Sequence, residues 1–522
     1  MSSLWQNLKP KTYTPRYPRR FVGRPLLFAS SALASLGDAM FGYSQGIIAA
    51  AQVQPSFIRR MFGKDVSMDM IQRGDTGVNV FVQAITVACL NITALVAALV
   101  SAYLCDHFGR RISIRIGAVL YFAASLIQLF APNLSALIVG RCLQGCGVGI
   151  LSMTVPILQC EIAPAHGRGQ FVAIEYMCLN AGYVLASWVG YGFFFAMPNE
   201  ISWRGPYIIQ AALAVILFVW SLYLPETPRW LIKNGFRAEG LGALADLNGT
   251  GDPSDPQIQV IYREICAAIE YEENIGDDAT WGQVFTQYTR RTVVGVTCQM
   301  FAQLNGINAI LYFLPSNLTR AGFTISRSLL YSGICALLYC SGTIPTFFGI
   351  DRYGRRAFLL VGSAGLTCTL AIVGGLQYKV DALPVGDART GTANGIFAAV
   401  CVYLFIFGAT WGPTPWLLGA EIYPLRARAK GMALSTCSNW IFNFIIAFIT
   451  PPLFSAIHGG YYFLLLGFCV LSGVVVFFVY PETKGCSLEE LGEVFGDKTM
   501  VTSQDGGSDI TLQSTAFPNK GS

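Results

Sequence analysis

Long runs of apolar residues alternate with short polar segments along this chain of 522 residues. A bilayer core about 30 Å thick is crossed by roughly 20 residues of α-helix, and runs of this length occur twelve times. Strands of a membrane barrel would instead alternate with a period of two residues. The pattern predicts an all-α protein with twelve transmembrane helices, near residues 26–50, 78–104, 112–131, 134–159, 170–196, 205–225, 292–315, 328–350, 357–378, 393–420, 430–455 and 460–480.

The order of these runs predicts how the chain is organised. Six spans form a bundle over 26–225, and six more form a second bundle over 292–480. A polar segment, 226–291, lies between them, and we expect it to be a cytosolic linker with short helices. Residues 1–25 are expected to be a cytosolic N-terminal segment, and 481–522 a cytosolic tail with a disordered end.

Composition excludes most other classes of protein. Only 12% of the residues are charged and 53% are hydrophobic, whereas a soluble protein carries about 25% charged residues. The first 25 residues contain six Lys and Arg and no acid, and Lys and Arg mark the cytosolic side of a membrane. The net charge of +5 therefore reflects the orientation of the protein in the membrane and does not indicate binding to nucleic acid. We expect a multi-pass protein of the plasma membrane with both termini in the cytosol.

Cysteine and histidine provide no metal or cofactor site. The fifteen cysteines lie almost wholly within the predicted spans, without a Cys-x-x-Cys pair, and the three histidines are far apart. This distribution argues against a disulfide framework and against a metal centre. No Walker A loop or nucleophile elbow occurs either, so we expect no enzyme and no cofactor.

Three short signatures occur twice, in the same order and after equivalent spans. They are Asp-x-x-Gly-Arg-Arg after spans two and eight, a Glu followed seven residues later by Arg after spans four and ten, and Pro-Glu-Thr after spans six and twelve. Such duplication is typical of two bundles that enclose a central site. The charged members are Asp106, Arg110, Arg111, Glu161, Arg168, Glu226 and Arg229 in the first half, and Asp351, Arg355, Arg356, Glu421, Arg428 and Glu482 in the second.

These repeated charges suggest a gate at the inner ends of the helices. Carboxylates and guanidinium groups at helix ends can pair between helices. Pairs that form when the inner side closes and break when it opens would set the balance between conformations. The alternative is that these charges only solvate and orient the helix ends.

Two of the apolar runs, the seventh and the eleventh, carry groups of amide side chains. An amide offers a donor and an acceptor together, which suits a hydroxyl group. Unpaired amides in a lipid-facing helix are costly, so they should face a wet cavity or a protein partner. The seventh span carries Gln299, Gln303 and Asn308, and the eleventh carries Asn439 and Asn443, which share one helix face.

The repeated signatures include Pro-Glu-Thr-Pro-Arg-Trp at 225–230 and Pro-Glu-Thr-Lys-Gly at 481–485. In these signatures the chain resembles the sugar porter family of the major facilitator superfamily, in particular its fungal members. The resemblance covers about residues 25–495. It implies alternating access by two rocking bundles that hold the substrate between them. It also implies that Gln303 and Asn308 contact a sugar and that Trp416 is a cavity tryptophan.

Three positions depart from the pattern of that family. Ala302 stands where the family has a first Gln, and Tyr176 stands where it often has a sugar-binding Gln. Proton-coupled members carry Asp directly after Gly-Tyr in the first span, where this chain has Ser44. Either another acid carries the proton, or the protein is a facilitator.

Three charged residues within spans are candidates for proton coupling: Asp38, Glu175 and Arg141. An ionised acid in a span costs about 2.5–3.5 kcal/mol on insertion scales, so it should be partnered, protonated or in a cavity. The resemblance makes Arg141 a partner for such acids, with Asp38 and Glu161 as the candidates. A purely structural role is the alternative.

The resemblance implies a secondary transporter of a monosaccharide or a polyol, with or without a proton. The alternatives are another polar organic solute, such as a quinate-like acid or a disaccharide, and a sugar sensor that does not transport. We expect a monomer in the lipid bilayer with a small-molecule sugar or polyol as its partner.

Overall fold

The computed structural model describes residues 22–73, 77–163, 168–275, 279–383, 387–486 and 491–495. Within these ranges, eleven helices are long and apolar enough to cross a membrane. We label the spans α1 to α12. The first six are α1 (Arg24–Ala51), α2 (Val80–Phe108), α3 (Arg110–Leu129), α4 (Leu134–Ile162), α5 (Arg168–Phe194) and α6 (Ile201–Ser221).

The second half differs from the prediction at its first span. Instead of one helix, α7 consists of three short helices, Thr289–Leu304, Ile307–Leu311 and Leu314–Ala321. The first break falls at Gly306, whose φ is 100°, and the last piece begins with Leu314-Pro315 because proline fits the first turn of a helix. The seventh span, predicted near 292–315, is thus a broken helix.

The other spans of this half are α8 (Ile325–Tyr353), α9 (Arg355–Ala382), α10, α11 (Leu425–Ile457) and α12 (Gly460–Val479). The helix α10 is broken into Asp387–Ala409 and Pro413–Glu421, because Pro413 and Pro415 lack the N–H groups that would continue it. Shorter helices lie outside the spans, at Pro55–Phe62, Met68–Arg73, Pro228–Lys233, Arg237–Asn248, Pro256–Ile275, Trp281–Thr286 and Leu491–Phe495.

Helix packing follows the repeat in the sequence. In the first half α1 packs on α5, α2 on α4, and α3 on both α4 and α6; in the second half α7 packs on α11, α8 on α10, and α9 on both α10 and α12. Every pair maps onto its counterpart when six is added to the helix number. The two halves meet through α2 with α11 and α5 with α8, which are also exchanged by this operation. The fold is therefore two similar six-helix bundles with one shared interface.

A glycine turn joins α2 to α3, and an equivalent one joins α8 to α9. Gly109 and Gly354 have φ values of 85° and 93°, in the left-handed region that favours glycine. The backbone N–H groups of Arg110 and Arg111 donate to the two carboxylate oxygens of Glu226, at 3.0 and 3.1 Å. Glu482 caps α9 in the same way. A Cβ at either glycine would overlap this capping carboxylate, so the Gly-Arg-Arg and Pro-Glu-Thr signatures depend on each other.

We expect Gly109→Ala to lower the melting temperature of the detergent-purified protein more than Gly63→Ala. Both positions have positive φ, and forcing a non-glycine residue there costs roughly 1–2 kcal/mol. Only Gly109 contacts a capping carboxylate, whereas the space at Gly63 is open. Equal shifts for the two variants would show that the contact with Glu226 contributes nothing to stability.

Candidate functional site

A small cavity lies between the two bundles. Its wall combines amide and aromatic side chains with apolar ones. The lining residues are Phe41, Gln45, Tyr176, Leu179, Ala302, Gln303, Ile307, Asn308, Leu311, Tyr339, Phe407, Trp411, Gly412, Trp416 and Asn439.

Four amides of this wall form a hydrogen-bonded chain, which we call the amide chain. Gln45 of α1 donates to Asn308 of α7 over 3.2 Å, Asn308 donates to Gln303 over 2.6 Å, and Gln303 donates to Asn439 of α11 over 2.6 Å. The amide nitrogen of Asn439 has no partner. Because the bond from Gln45 to Asn308 joins one bundle to the other, this chain crosses the interface inside the cavity.

Aromatic rings form much of the remaining wall. The hydroxyl groups of Tyr176 on α5 and Tyr339 on α8 lie 2.5 Å apart, which makes a second link between the bundles. Trp416 follows the break in α10 and is 8% exposed. Rings of this kind present a large apolar surface, and Tyr and Trp add one polar atom. The cavity can thus hold a guest that has both hydroxyl groups and an apolar face.

Two amides predicted for the site do not line the cavity. Gln299 lies one turn before Gln303, is fully buried, and has no hydrogen-bond partner for either amide atom. Asn443 lies one turn beyond Asn439 and accepts a hydrogen bond from Asn91 of α2 over 3.1 Å. Both residues lie one turn away from the amides that line the cavity on the same helix.

At one end of the bundles, which we call the charged end, the repeated charges form two buried networks. The Arg110 guanidinium donates to Glu161 over 2.8 Å, and the Arg355 guanidinium donates to both oxygens of Glu421 at 3.2 Å. Asp351 pairs with Arg355 at 3.1 Å. Burial raises the pKa of the Glu226 carboxyl, while Arg110 and three backbone N–H groups oppose this shift. These contacts hold helix ends together within each half.

Two contacts at the charged end join the halves. Arg428 of α11 lies 3.7 Å from Glu161 of α4, and both side chains are buried. The backbone N–H of Gln170 at the start of α5 donates to Asp351 of α8 over 3.2 Å. Arg168, predicted for this network, has a side chain outside the described residues.

The remaining predicted members of this network bind within their own half. The backbone oxygen of Asp106 accepts from Trp230, the Arg356 guanidinium donates to the backbone of Phe477, and Arg229 interacts electrostatically with Glu161.

The opposite end is closed by other contacts between the halves. The hydroxyl of Tyr183 donates to the Leu311 backbone oxygen over 3.1 Å, and Gln52 donates to the Tyr312 backbone oxygen over 3.5 Å. Asn91 and Asn443 pair on the same side of the cavity. Because the halves touch on both sides of the cavity, the arrangement is occluded.

The three charged residues predicted for proton coupling do not come together. Asp38 on α1 and Glu175 on α5 are buried, at 3% and 4% exposure. Arg141 instead donates to the backbone oxygen of Val87 over 2.9 Å. Glu161 lies 20 residues along the same helix, about 30 Å away, and is paired with Arg110. The predicted pairing of Arg141 with Asp38 or Glu161 was therefore wrong.

Sequence reasoning missed three polar residues of this interface: Asn91, Tyr312 and Tyr339. Each stands alone in an apolar run, where a single polar or aromatic residue resembles ordinary packing. The repeat in the sequence provided one indication of such residues. The spans α2 and α8 face α11 and α5 across the interface, and polar groups are expected on the faces that meet there.

Two repeated six-helix bundles around a central polar cavity define a class of protein, the secondary transporters that work by alternating access.

Comparisons with known proteins agree with this class. A profile of the sugar (and other) transporter family matches residues 30–495. Sugar transport protein 1 of Arabidopsis thaliana is 30% identical over 489 residues, 92% of this chain and 91% of its own length. A low-affinity glucose transporter of Saccharomyces cerevisiae is 30% identical over 89% of this chain and 80% of its own length.

The chain therefore belongs to the sugar (and other) transporter family. A solved proton:xylose symporter of the major facilitator superfamily, bound to 6-bromo-6-deoxy-D-glucose, superposes with a TM-score of 0.77. It is 23% identical and covers 90% of this chain and 99% of its own. The family and the all-α major facilitator fold predicted from the sequence are thus confirmed.

We expect Glu161→Gln to loosen the charged end. Removing one partner of a buried ion pair costs about 3–5 kcal/mol, and Glu161 contacts both Arg110 and Arg428. Hydrogen–deuterium exchange of the purified protein should rise in peptides that contain the starts of α5 and α11. The control Glu264→Gln, which removes an exposed carboxylate of the linker, should leave exchange there unchanged. Unchanged exchange in Glu161→Gln would remove this residue from the gate.

Proposed function

We propose that this protein carries a monosaccharide or a polyol across the membrane by alternating access. The observation that supports this most directly is the amide chain, which crosses the interface of the two bundles inside an occluded cavity. A hydroxyl group both donates and accepts hydrogen bonds, and so do these amides. Sugar hydroxyl groups would replace the bonds that the amides make with one another.

The same chain explains how solute access changes sides. Gln45 belongs to the first bundle, whereas Asn308, Gln303 and Asn439 belong to the second. Opening the interface at either end separates Gln45 from Asn308 and leaves a free donor and a free acceptor. A solute that bonds to both sides draws the bundles together again, and the closed form then opens at the other end.

None of the residues that line the cavity is charged. A carboxylate solute such as a quinate-like acid would enter without a cation to pair with, which disfavours it. Ala302 and Tyr176 occupy positions where, by resemblance, the family has two glutamines. The amide pattern thus differs from that of a plain hexose carrier. The proposed solutes therefore include pentoses and polyols as well as hexoses.

Orientation and location complete the proposal. Most Lys and Arg outside the spans lie on the side of the charged end, so this end faces the cytosol with both termini. The similar yeast glucose transporter supports a place in the plasma membrane. A monomer suffices because the cavity is formed by one chain.

We expect Asn308→Ala and Gln303→Ala to weaken solute binding by about 10- to 100-fold. Each variant removes a hydroxyl partner and strands a buried amide neighbour, at a cost of about 1–3 kcal/mol, and 1.4 kcal/mol corresponds to a tenfold change. The matched control is Asn317→Ala, since Asn317 lies in the last piece of α7 and does not line the cavity.

The measurement is uptake of labelled D-glucose, D-xylose and sorbitol by cells that lack their own carriers, with surface expression quantified. Uptake by wild type and by Asn317→Ala, with loss in both cavity variants, supports the proposal. Equal uptake in all four proteins would place the solute elsewhere. Absence of uptake with normal surface expression would favour a sensor.

A further inference from the structure

The polar and the aromatic side chains that line the cavity come from different helices. The four amides belong to α1, α7 and α11, whereas the aromatic rings, apart from Phe41, belong to α5, α8 and α10. These last three helices lie side by side, because α8 packs on both α5 and α10. We call their contribution to the cavity the aromatic wall, which consists of Tyr176, Tyr339, Phe407, Trp411 and Trp416.

Several polar atoms of the aromatic wall are already bonded to protein groups. The hydroxyl oxygens of Tyr176 and Tyr339 lie 2.5 Å apart, so one of these two hydroxyl groups donates to the other. The indole N–H of Trp411 donates to the backbone oxygen of Leu359 over 3.1 Å and to the hydroxyl of Ser363 over 3.0 Å. Neither of these acceptors lines the cavity. The wall therefore presents mainly ring carbon to a solute.

Two glycines of α10 bring the rings of the wall close together. A Cβ at Gly412 would lie 2.3 Å from a ring carbon of Tyr176, and one at Gly408 would lie 2.4 Å from the backbone oxygen of Tyr339. The rings of Tyr176 and Tyr339 meet edge to face with centroids 6.2 Å apart, and the ring of Tyr339 lies 6.3 Å from that of Phe407. Because the rings pack on backbone and on one another, they form a fixed surface.

A solute that is bound by the amide chain must place another part of itself against the aromatic wall. A hydroxyl group there would lose its bonds to water and gain few from the protein, and a buried polar group without a partner is costly. A C–H or methyl group gains free energy from burial against the rings. The cavity therefore selects solutes by the position of their hydroxyl groups as well as by their number.

We propose that the preferred solute is a deoxysugar. Its hydroxyl groups bond to the amide chain, and an apolar carbon faces the aromatic wall where the parent sugar carries a hydroxyl. Tyr176 of the first bundle and Tyr339 of the second determine this preference, because their mutual bond withdraws both hydroxyl oxygens from the solute. This proposal rests on the proposed transport function and narrows its class of solute.

The test compares D-glucose with analogues that each lack one hydroxyl group: 2-deoxy-, 3-deoxy-, 4-deoxy- and 6-deoxy-D-glucose. Equilibrium exchange of each labelled sugar is measured with purified full-length protein in liposomes. In wild type, at least one analogue should have a half-saturation concentration about tenfold below that of D-glucose, since an apolar site rejects an added hydroxyl by up to about 100-fold. Analogues that lack a hydroxyl bound by the amides should exchange less well than D-glucose.

Variants of the wall separate the rings from their hydroxyl groups. Tyr176→Gln places an amide in the wall, so the ratio of the favoured analogue to D-glucose should fall to about one or below. The double variant Tyr176→Phe with Tyr339→Phe keeps both rings and should retain the preference. The matched control is Tyr331→Phe, because Tyr331 lies on α8, stacks on Phe397 and does not line the cavity.

Exchange of D-glucose by wild type at least as good as that of every deoxy analogue would overturn the deoxysugar preference and leave the transport function intact. Retention of the preference in Tyr176→Gln, or its loss in the double Phe variant or in Tyr331→Phe, would also overturn the proposal. The wild-type series decides the matter if a variant fails to insert. Absence of exchange of all these sugars, and of D-xylose and sorbitol, would instead overturn the proposed function.

Discussion

A polar side chain in the middle of a membrane must bond to another polar group or face a wet cavity, because lipid offers no partner. This constraint explains the centre of the molecule. Gln45, Gln303, Asn308 and Asn439 come from three helices and satisfy one another in series. In the proposed function, the bonds that stabilise the closed form are made by the groups that bind the solute, and the unpaired amide nitrogen of Asn439 is one further donor for it.

The same constraint applies to the charged side chains at the charged end, which must also be paired where they are buried. Each Gly-Arg-Arg turn places two backbone N–H groups and one guanidinium against two carboxylates, so that the buried charges are paired. The copy in the second half repeats this arrangement with Arg355, Glu421 and Glu482. The contacts that join the halves at this end include that of Glu161 with Arg428. The network is thus rigid within each bundle and separable between bundles, as alternating access requires.

Apolar run length and the duplicated signatures were sufficient to predict the spans, the two halves and the family. The resemblance to the family pointed to Gln303 and Asn308, and the amides within the eleventh span pointed to Asn439; all three line the cavity. The limits came from tertiary geometry. Helical spacing places Gln299 on the face of Gln303, but the depth of the cavity is decided by packing between helices. The partners of Arg141 and Asp38 depend on helix rotation, which a single sequence does not encode, and Tyr339 carried no signal beyond that of a packed ring.

The central claim is that the amide chain is the solute site. It is tested most directly by a cryo-EM structure of the protein in lipid nanodiscs with a saturating concentration of a sugar that it transports. The account predicts density for the sugar among Gln45, Gln303, Asn308 and Asn439, with the bond from Gln45 to Asn308 replaced by bonds to hydroxyl groups. A sugar bound elsewhere, with the four amides still bonded to one another, would contradict it.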